Sequence, residues 1–362
     1  MQNGTLNEGD IPRQLILFGS PGTGKSHRVK TEILPALGIG QDGGAEDSPH
    51  STRVVFHPEY TYGDWVGKLM PLTNDDGDVE YHFYPGHFTE ALGQAYENIL
   101  QAGSPEEAQN VALVVEEINR GNSAAIFGTT FQLLDRTPDD AADGWSEYPV
   151  QLSKMEHEEL FNETGLDEVV RGGTFDGYDY NGREYGEDEL YDKLELNKPR
   201  KVRIPPNLYL VATMNTSNES IFQMDVAFKR RWSWQYVDIE EGVVQEDGVA
   251  FQGRADWEQF VSNLNEFIRL NHKYVRRVED KQIGHWFLEG EGKGEKATFY
   301  KEEIQNKVMF FLWDSVFASS KKPLAEHLLG VDESDLVTFG SFARRVASFI
   351  GAIEEKNWSQ EE

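Results

Sequence analysis

The sequence contains no cysteine among its 362 residues. Disulfide bonds, zinc sites built on thiolates and cysteine nucleophiles are therefore excluded. Positive charge is also scarce, since 34 lysines and arginines stand against 63 aspartates and glutamates, which gives a formal net charge of −29. A field of that sign repels phosphate backbones, so we expect any contact with DNA to be indirect or to depend on a local basic patch.

Long hydrophobic runs are missing as well. Residues 111–115 and 308–313 form two of the longest, and both are far shorter than the roughly 20 residues of a membrane-spanning helix. The polar first twelve residues lack the apolar stretch of a secretory signal. We therefore expect a cytoplasmic protein that makes no membrane contact. Hydrophobic residues still amount to 38% of the chain, which is enough to fill a core.

Short apolar runs alternate with stretches of helical spacing over residues 13–240, after an N-terminal extension at 1–12. This alternation predicts an α/β domain with a mostly parallel sheet covered by helices. Within it, the acidic residues 137–200 show little periodicity and are interpreted as an insertion. Residues 255–352 have helical spacing and predict a smaller, mainly helical domain, and 353–362 form a polar tail.

A glycine-rich segment follows the first predicted strand and precedes a predicted helix. It matches the phosphate-binding pattern G-x-x-x-x-G-K-[ST] at every position, with Gly19, Ser20, Pro21, Gly22, Thr23, Gly24, Lys25 and Ser26. Glycines allow backbone N–H groups to turn toward phosphates, and the helix N-terminus adds positive potential. Lys25 is expected to reach the β- and γ-phosphates of a bound nucleotide and Ser26 to bind Mg²⁺.

Two carboxylates end the apolar run at 111–115. In nucleotide hydrolases such a strand lies beside the phosphate loop, where the first carboxylate supports Mg²⁺ and the second polarises the attacking water. Glu116 is therefore the candidate metal-supporting residue, although an aspartate is common at this place. Glu117 is the candidate general base.

Three further polar residues complete the candidate catalytic set. Asn215 ends a later apolar run and can hydrogen-bond both the γ-phosphate and the attacking water. Arg230 and Arg231 follow in a basic cluster, and arginines near a nucleotide can stabilise charge in phosphoryl transfer, within one subunit or across a boundary.

The order of these blocks resembles AAA+ ATPases and, within them, the McrB family of NTP-driven motor subunits of restriction systems. The resemblance extends over roughly residues 13–350 and rests on residues 19–26, 56–65, 85–88, 116–122, 126–128, 213–216, 227–232 and 280–285. It implies an AAA+ P-loop core with a helical lid domain, ATP or GTP with Mg²⁺ as cofactors, and a ring, expected to be a hexamer, with nucleotide at the subunit interfaces. Arg230 and Arg231 become candidates for insertion into the neighbouring subunit's site. The hairpin predicted at 71–85 matches an insert that many relatives direct toward the ring pore.

The resemblance leaves the nucleotide base open. Asn218 stands where McrB relatives often carry an aspartate that has been linked with GTP. An amide cannot reproduce the two hydrogen bonds that a carboxylate accepts from guanine, so ATP and GTP both remain candidates. Since the phosphate loop starts at residue 19, we expect target recognition on a partner, and the nuclease on a separate McrC-like subunit.

Two other functions remain open. One is a remodelling chaperone of the related MoxR group, acting on a protein, which the negative charge favours. The other is a nucleotide-binding switch that seldom hydrolyses, against which Glu117, Asn215 and the arginine pair argue.

Overall fold

The computed structural model describes residues 6–40, 48–74, 76–105, 107–137, 144–196, 200–216, 222, 224, 226–239, 242–243, 246–292 and 294–355. The strands are β1 Gln14–Gly19, β2 Ser51–Val55, β3 Gly67–Thr73, β4 Val79–Pro85, β5 Val111–Glu116, β6 Val150–Gln151, β7 Asp167–Arg171, β8 Thr174–Tyr180, β9 Arg183–Tyr185, β10 Lys201–Val202, β11 Leu208–Asn215, β12 Ser233–Asp238, β13 Gly242–Val243, β14 Val249–Gln252 and β15 Thr298–Tyr300. The α-helices are α1 Lys25–Arg28, α2 Leu34–Ala36, α3 Tyr62–Trp65, α4 His87–Ala102, α5 Ser123–Phe127, α6 Lys154–Glu163, α7 Glu187–Lys193, α8 Val226–Arg230, α9 Arg254–Leu270, α10 Lys301–Glu303, α11 Phe339–Ala343 and α12 Val346–Glu355. Wider π-helical turns occupy Val29–Ile33, Ile304–Met309, Leu312–Val316 and Pro323–Leu329.

The chain divides into two structural units. The first consists of Met1–Leu17 and Gly24–Trp232, and the second of Phe18–Thr23 and Ser233–Glu362. The division therefore falls before residue 233 rather than at the expected 240. It also assigns most of the glycine-rich segment to the second unit.

The first unit is built on a sheet with strand order β1-β11-β5-β2. Its β5 strand runs parallel to both β11 and β2. All six residues of β1 and of β5 are buried, as expected for strands covered on both faces. The predicted α/β class is confirmed, and the carboxyl ends of β5 and β11 meet at one edge of this sheet.

Helix α4 packs against this sheet and ends at a glycine. Phe88, Ala91, Leu92, Ala95, Tyr96, Ile99 and Leu100 recur at helical spacing, and all are buried. The helix stops where Gly103 adopts a left-handed conformation at φ 94°, which glycine allows without steric cost. The hydroxyl of Tyr96 donates to the Arg203 carbonyl at 2.6 Å, connecting the helix to the chain that leads into β11.

The acidic insertion forms regular structure despite its weak periodicity. Strands β7, β8 and β9 pair as an antiparallel sheet, and α6 begins with Ser153 and Glu156 in a capping box. The acidic residues at 187–189 form the first turn of α7. Carboxylates at that end of a helix favour it, because they face its positive pole.

The second unit is mainly helical, as predicted, with two antiparallel strand pairs, β12–β13 and β14–β15. The spacing of apolar residues in α9 correctly predicts its inner face, since Trp257, Phe260, Val261, Leu264, Phe267 and Ile268 are all buried. Phe260 packs against Phe349 of α12 with ring centroids 5.9 Å apart. Phe18 explains why its segment joins this unit, because its ring lies 5.5 Å from Trp234 and 4.4 Å from Phe310.

Candidate functional site

The glycine-rich segment forms a tight turn between β1 and α1. Gly22 and Gly24 have φ values of 81° and 83°, which lie in the left-handed region that glycine occupies without strain. The Thr23 hydroxyl donates to the Ser20 carbonyl at 3.1 Å and closes the turn. Helix α1 then begins at Lys25. The segment therefore has the strand–turn–helix geometry that its sequence predicts for phosphate binding.

Glu116, at the end of β5, is the centre of the side-chain contacts. Its Oε2 atom accepts a hydrogen bond from Ser26 Oγ at 2.8 Å and a short one from Thr213 Oγ1. Its Oε1 atom accepts from Arg53 Nη1, also at 2.8 Å. The structure thus brings together the two predicted metal-supporting residues, although they lie 90 positions apart in the chain.

Glu117 adopts a left-handed conformation at φ 55°, directly after the buried strand. Its Oε1 atom accepts a short hydrogen bond from Asn215 Nδ2, and its Oε2 atom lies 3.6 Å from Arg120 Nε. Asn119 Nδ2 donates to the Asn215 carbonyl at 2.9 Å and joins the same two strand ends. The Glu117 side chain is 27% exposed, so water can reach its carboxylate.

Lys25 is buried in the first unit close to both carboxylates. Burial lowers the pKa of Lys25, while the negative charges of Glu117 and Glu116 act in the opposite direction. The two carboxylates therefore favour the charged lysine, which is the form that attracts phosphate.

The two candidate arginines have different surroundings. The Arg231 side chain is 10% exposed and its Nη2 lies 2.6 Å from Asp135 Oδ2. Its guanidinium also stacks over the Phe131 ring at 4.1 Å and donates to the Ala227 carbonyl. Arg230, at the end of α8, is exposed. The contacts of Arg231 are those of a residue that stabilises its own chain, whereas Arg230 leaves its side chain exposed.

Sequence reasoning assigned no role to Arg53. This residue lies in edge strand β2, two positions before Val55, which pairs with Glu116 in the parallel register. Side chains two apart share one face of a strand, so Arg53 faces the same side as Glu116. The sequence did offer a signal, namely a charged arginine directly before the two valines that end this short strand. The residue that it contacts could be identified only from the pairing of β2 with β5.

Residues 217–221, which include Asn218, lie outside the described residues. ATP and GTP therefore both stay candidates for the bound nucleotide. Among the residues that the structure describes, no group of three or more histidines, aspartates and glutamates is arranged to hold a metal ion. No described helix combines the length and apolar character needed to cross a membrane.

The parallel sheet, the phosphate loop and the carboxylates at the end of β5 define the fold of a P-loop nucleoside triphosphatase. Two curated proteins are similar in sequence. The Type II restriction enzyme BsuMI component YdiS of Bacillus subtilis (strain 168) is 29% identical over 85% of this chain and 80% of its own length. The Type IV methyl-directed restriction enzyme EcoKMcrB subunit of Escherichia coli (strain K12) is 24% identical over 64% of this chain.

These relatives confirm the resemblance to McrB-like AAA+ proteins of restriction systems. The match spans only 36% of the length of the EcoKMcrB subunit. No protein-family model matches the chain. A crystal structure of a candidate ATPase from Cytophaga hutchinsonii covers 64% of this chain and 42% of its own at 14% identity, but its TM-score of 0.24 is too low to carry an argument.

Proposed function

We propose that the chain is a Mg²⁺-dependent nucleoside triphosphatase that drives a multi-subunit restriction complex with a separate nuclease. The observation that carries the proposal is the convergence at one sheet edge of Ser26, Glu116 and the hydrogen-bonded pair Glu117–Asn215. This arrangement joins a phosphate loop to a candidate base, which is what hydrolysis requires.

In this proposal Glu117 is the general base. Its carboxylate is held by Asn215 on one oxygen and lies near Arg120 on the other. Such contacts orient a base that must accept a proton from water. The partial exposure of the side chain leaves room for that water.

The described side chains suit a complex of Mg²⁺ with a nucleotide better than they suit a Mg²⁺ ion bound by protein alone. A hydroxyl and a carboxylate, Ser26 and Glu116, are the hard oxygen donors that this ion prefers. Mg²⁺ usually keeps several waters and binds through one or two carboxylates together with substrate phosphates. When bound, it would neutralise charge on the phosphates, and Ser26 and Glu116 would hold it.

A ring with nucleotide at its subunit interfaces follows from the same proposal. Head-to-tail contacts close into a ring when the rotation between subunits permits. Arg230 is exposed in the single chain and would act on a neighbour's nucleotide.

Both named relatives support a restriction role over a chaperone role. One is a component and the other a subunit of a restriction enzyme, which supports a partner-dependent function. The exposed β3–β4 hairpin supplies a contact surface, because Leu69, Leu72, Val79 and Tyr81 are all between 48% and 65% exposed.

A capture experiment tests the restriction role. Glu117→Gln chain is expected to retain bound nucleotide and to co-purify a nuclease subunit from the native host, as read by mass spectrometry with Mg²⁺ and either ATP or GTP. Lys25→Ala chain is the control bait and should capture less. The nucleotide that is required would identify the base preference. Capture of a non-nuclease client, or of none with either nucleotide, would contradict the restriction role.

Arg53 provides a second test, directed at Glu116. Arg53→Met removes the ion pair but keeps an unbranched apolar stem, so the Glu116 carboxylate loses one of its three described side-chain hydrogen bonds. We expect the Mg²⁺ concentration needed for half-maximal turnover to rise by about 10- to 100-fold, the usual effect of losing a residue that orients a metal ligand. Binding of a fluorescent nucleotide should weaken when Mg²⁺ is present and stay unchanged when it is absent.

Arg171→Met is the matched control for Arg53, because it breaks exposed ion pairs with Asp176 and Glu184 in the insertion. It should change neither measurement. An unchanged Mg²⁺ requirement in Arg53→Met would remove the positioning role.

A further inference from the structure

The acidic insertion contains a cavity of about 380 Å³. Residues of α6, β7 and β8 line it. The cavity belongs wholly to the first unit and includes none of the nucleotide-site residues. A volume of this order lies within the range of sites that accept small ligands or a few peptide residues.

Aromatic rings form one part of the cavity wall. The rings of His157 and Phe161 lie 4.1 Å apart, and Phe161 meets Tyr178 edge-on at 4.9 Å. All three side chains are buried, at 6%, 3% and 7% exposure. Aromatic faces carry partial negative charge and attract cations.

Acidic residues form most of the exposed part of the lining, which we call the rim. Glu158, Asp167 and Glu168 line the cavity and are exposed. Burial raises the pKa of Tyr178, and the charges of Glu168, Glu187 and Glu158 raise it further, so negative potential converges on that hydroxyl. The only cation paired with the rim in the described structure is Lys154, 3.3 Å from Glu158 and itself 78% exposed. Such an exposed pair is weak and easily exchanged.

His157 gives the second, independent indication of a ligand. Its Nε2 atom is buried and has no hydrogen-bond partner among the described residues. Burial and the nearby charge of Arg200 lower the pKa of His157 to about 4, so the ring is neutral at physiological pH. A neutral imidazole does not repel a cation, and in one tautomer its Nε2 accepts a hydrogen bond.

We propose that this cavity binds an arginine side chain from a basic segment of a protein partner. A guanidinium is planar, so it can stack on the aromatic wall while its forked donors reach the carboxylate of Glu168, which pairs across the sheet with Tyr178. A lysine ammonium is more strongly hydrated and fits that geometry less well. A metal ion is a poorer occupant, because no described group of three acidic or histidine side chains is arranged to hold one. This site does not depend on the proposed nucleotide hydrolysis.

The test is a titration of the full chain with a fluorescein-labelled Gly-Arg-Gly-Arg-Gly peptide, followed by anisotropy at 0.15 M salt. A matched peptide carries citrulline, an uncharged analogue of arginine, and another carries lysine. We expect the arginine peptide to bind at least about tenfold more tightly than the citrulline peptide, which corresponds to one good charged contact. The lysine peptide should bind with intermediate affinity.

Asp167→Asn/Glu168→Gln removes two rim charges without changing side-chain size. Arginine-peptide affinity is expected to fall by about tenfold in this variant. Glu333→Gln/Asp335→Asn is the control, since it removes the same charge from the second unit, and it should bind as the wild type does. An equal loss in both variants would show that bulk negative charge attracts the peptide. That result, or equal affinity for arginine and citrulline, would overturn the proposal.

Discussion

Glu117→Gln is expected to lower nucleotide turnover by about 10²- to 10⁴-fold, the range of general acid–base catalysis. Glutamine has the length of glutamate, and its carbonyl can still accept the hydrogen bond from Asn215 that Glu117 accepts now. The substitution therefore removes proton-accepting ability while preserving the local geometry. Phosphate release at saturating nucleotide and Mg²⁺ measures the effect.

A measurement of nucleotide affinity distinguishes the loss of the catalytic base from damage to the nucleotide-binding site. Glu117→Gln should retain affinity for a fluorescent nucleotide, whereas Lys25→Ala should lose about 10- to 100-fold, the effect of removing a hydrogen-bonded charge. Lys30→Ala, which removes the same charge from an exposed residue just after α1, is the control and should keep wild-type affinity. Wild-type turnover in Glu117→Gln would refute the role of this residue as base.

The charge of Glu117 also acts on Lys25. Glu117 raises the pKa of Lys25 against the lowering effect of burial, so the glutamine variant should have a lower Lys25 pKa. A lysine with a lowered pKa loses its charge earlier as pH rises. Nucleotide affinity of Glu117→Gln is therefore expected to decline at a lower pH than that of the wild type, as a pH titration of binding would show.

Arg230→Ala is expected to lower turnover by about 10³-fold or more without affecting the fold, as when an arginine finger is removed. Arg230 is exposed on its own chain, so its loss breaks no described ion pair. Arg231→Ala, by contrast, leaves Asp135 without its partner and exposes Phe131. We expect Arg231→Ala to lower the free energy of unfolding by roughly 1–3 kcal/mol. Thermal or urea denaturation distinguishes the two variants.

Mixing subunits tests whether Arg230 acts across a boundary. Lys25→Ala subunits lack a working phosphate site but retain Arg230, and Arg230→Ala subunits have the reverse defect. If the arginine acts on a neighbour, mixtures of the two inactive proteins should regain part of the turnover. Absence of rescue at every mixing ratio would place its effect within one chain.

Parts of the fold with strong local signals were predictable. Strand β5 is a continuous apolar run, and α9 repeats its apolar residues at helical spacing. The insertion was harder to interpret, because the antiparallel sheet β7–β8–β9 is largely exposed and so lacks a clear alternation of apolar and polar residues. Its helix α6 has few buried residues as well, His157, Leu160 and Phe161. Helices and strands with weak amphipathicity are hard to recognise from the sequence, because that recognition depends on the regular spacing of apolar residues.

The sequence alone determined the α/β class, the phosphate loop and the identity of the candidate catalytic residues. Their motifs are short and depend on backbone geometry that neighbouring residues impose, so local chemistry suffices to recognise them. Tertiary structure decided which of these residues touch. It brought Arg53 to Glu116, gave Arg230 and Arg231 different surroundings, and formed the cavity lined by His157. These arrangements depend on side chains from different helices and strands. Their separation along the sequence does not indicate how close they lie in space.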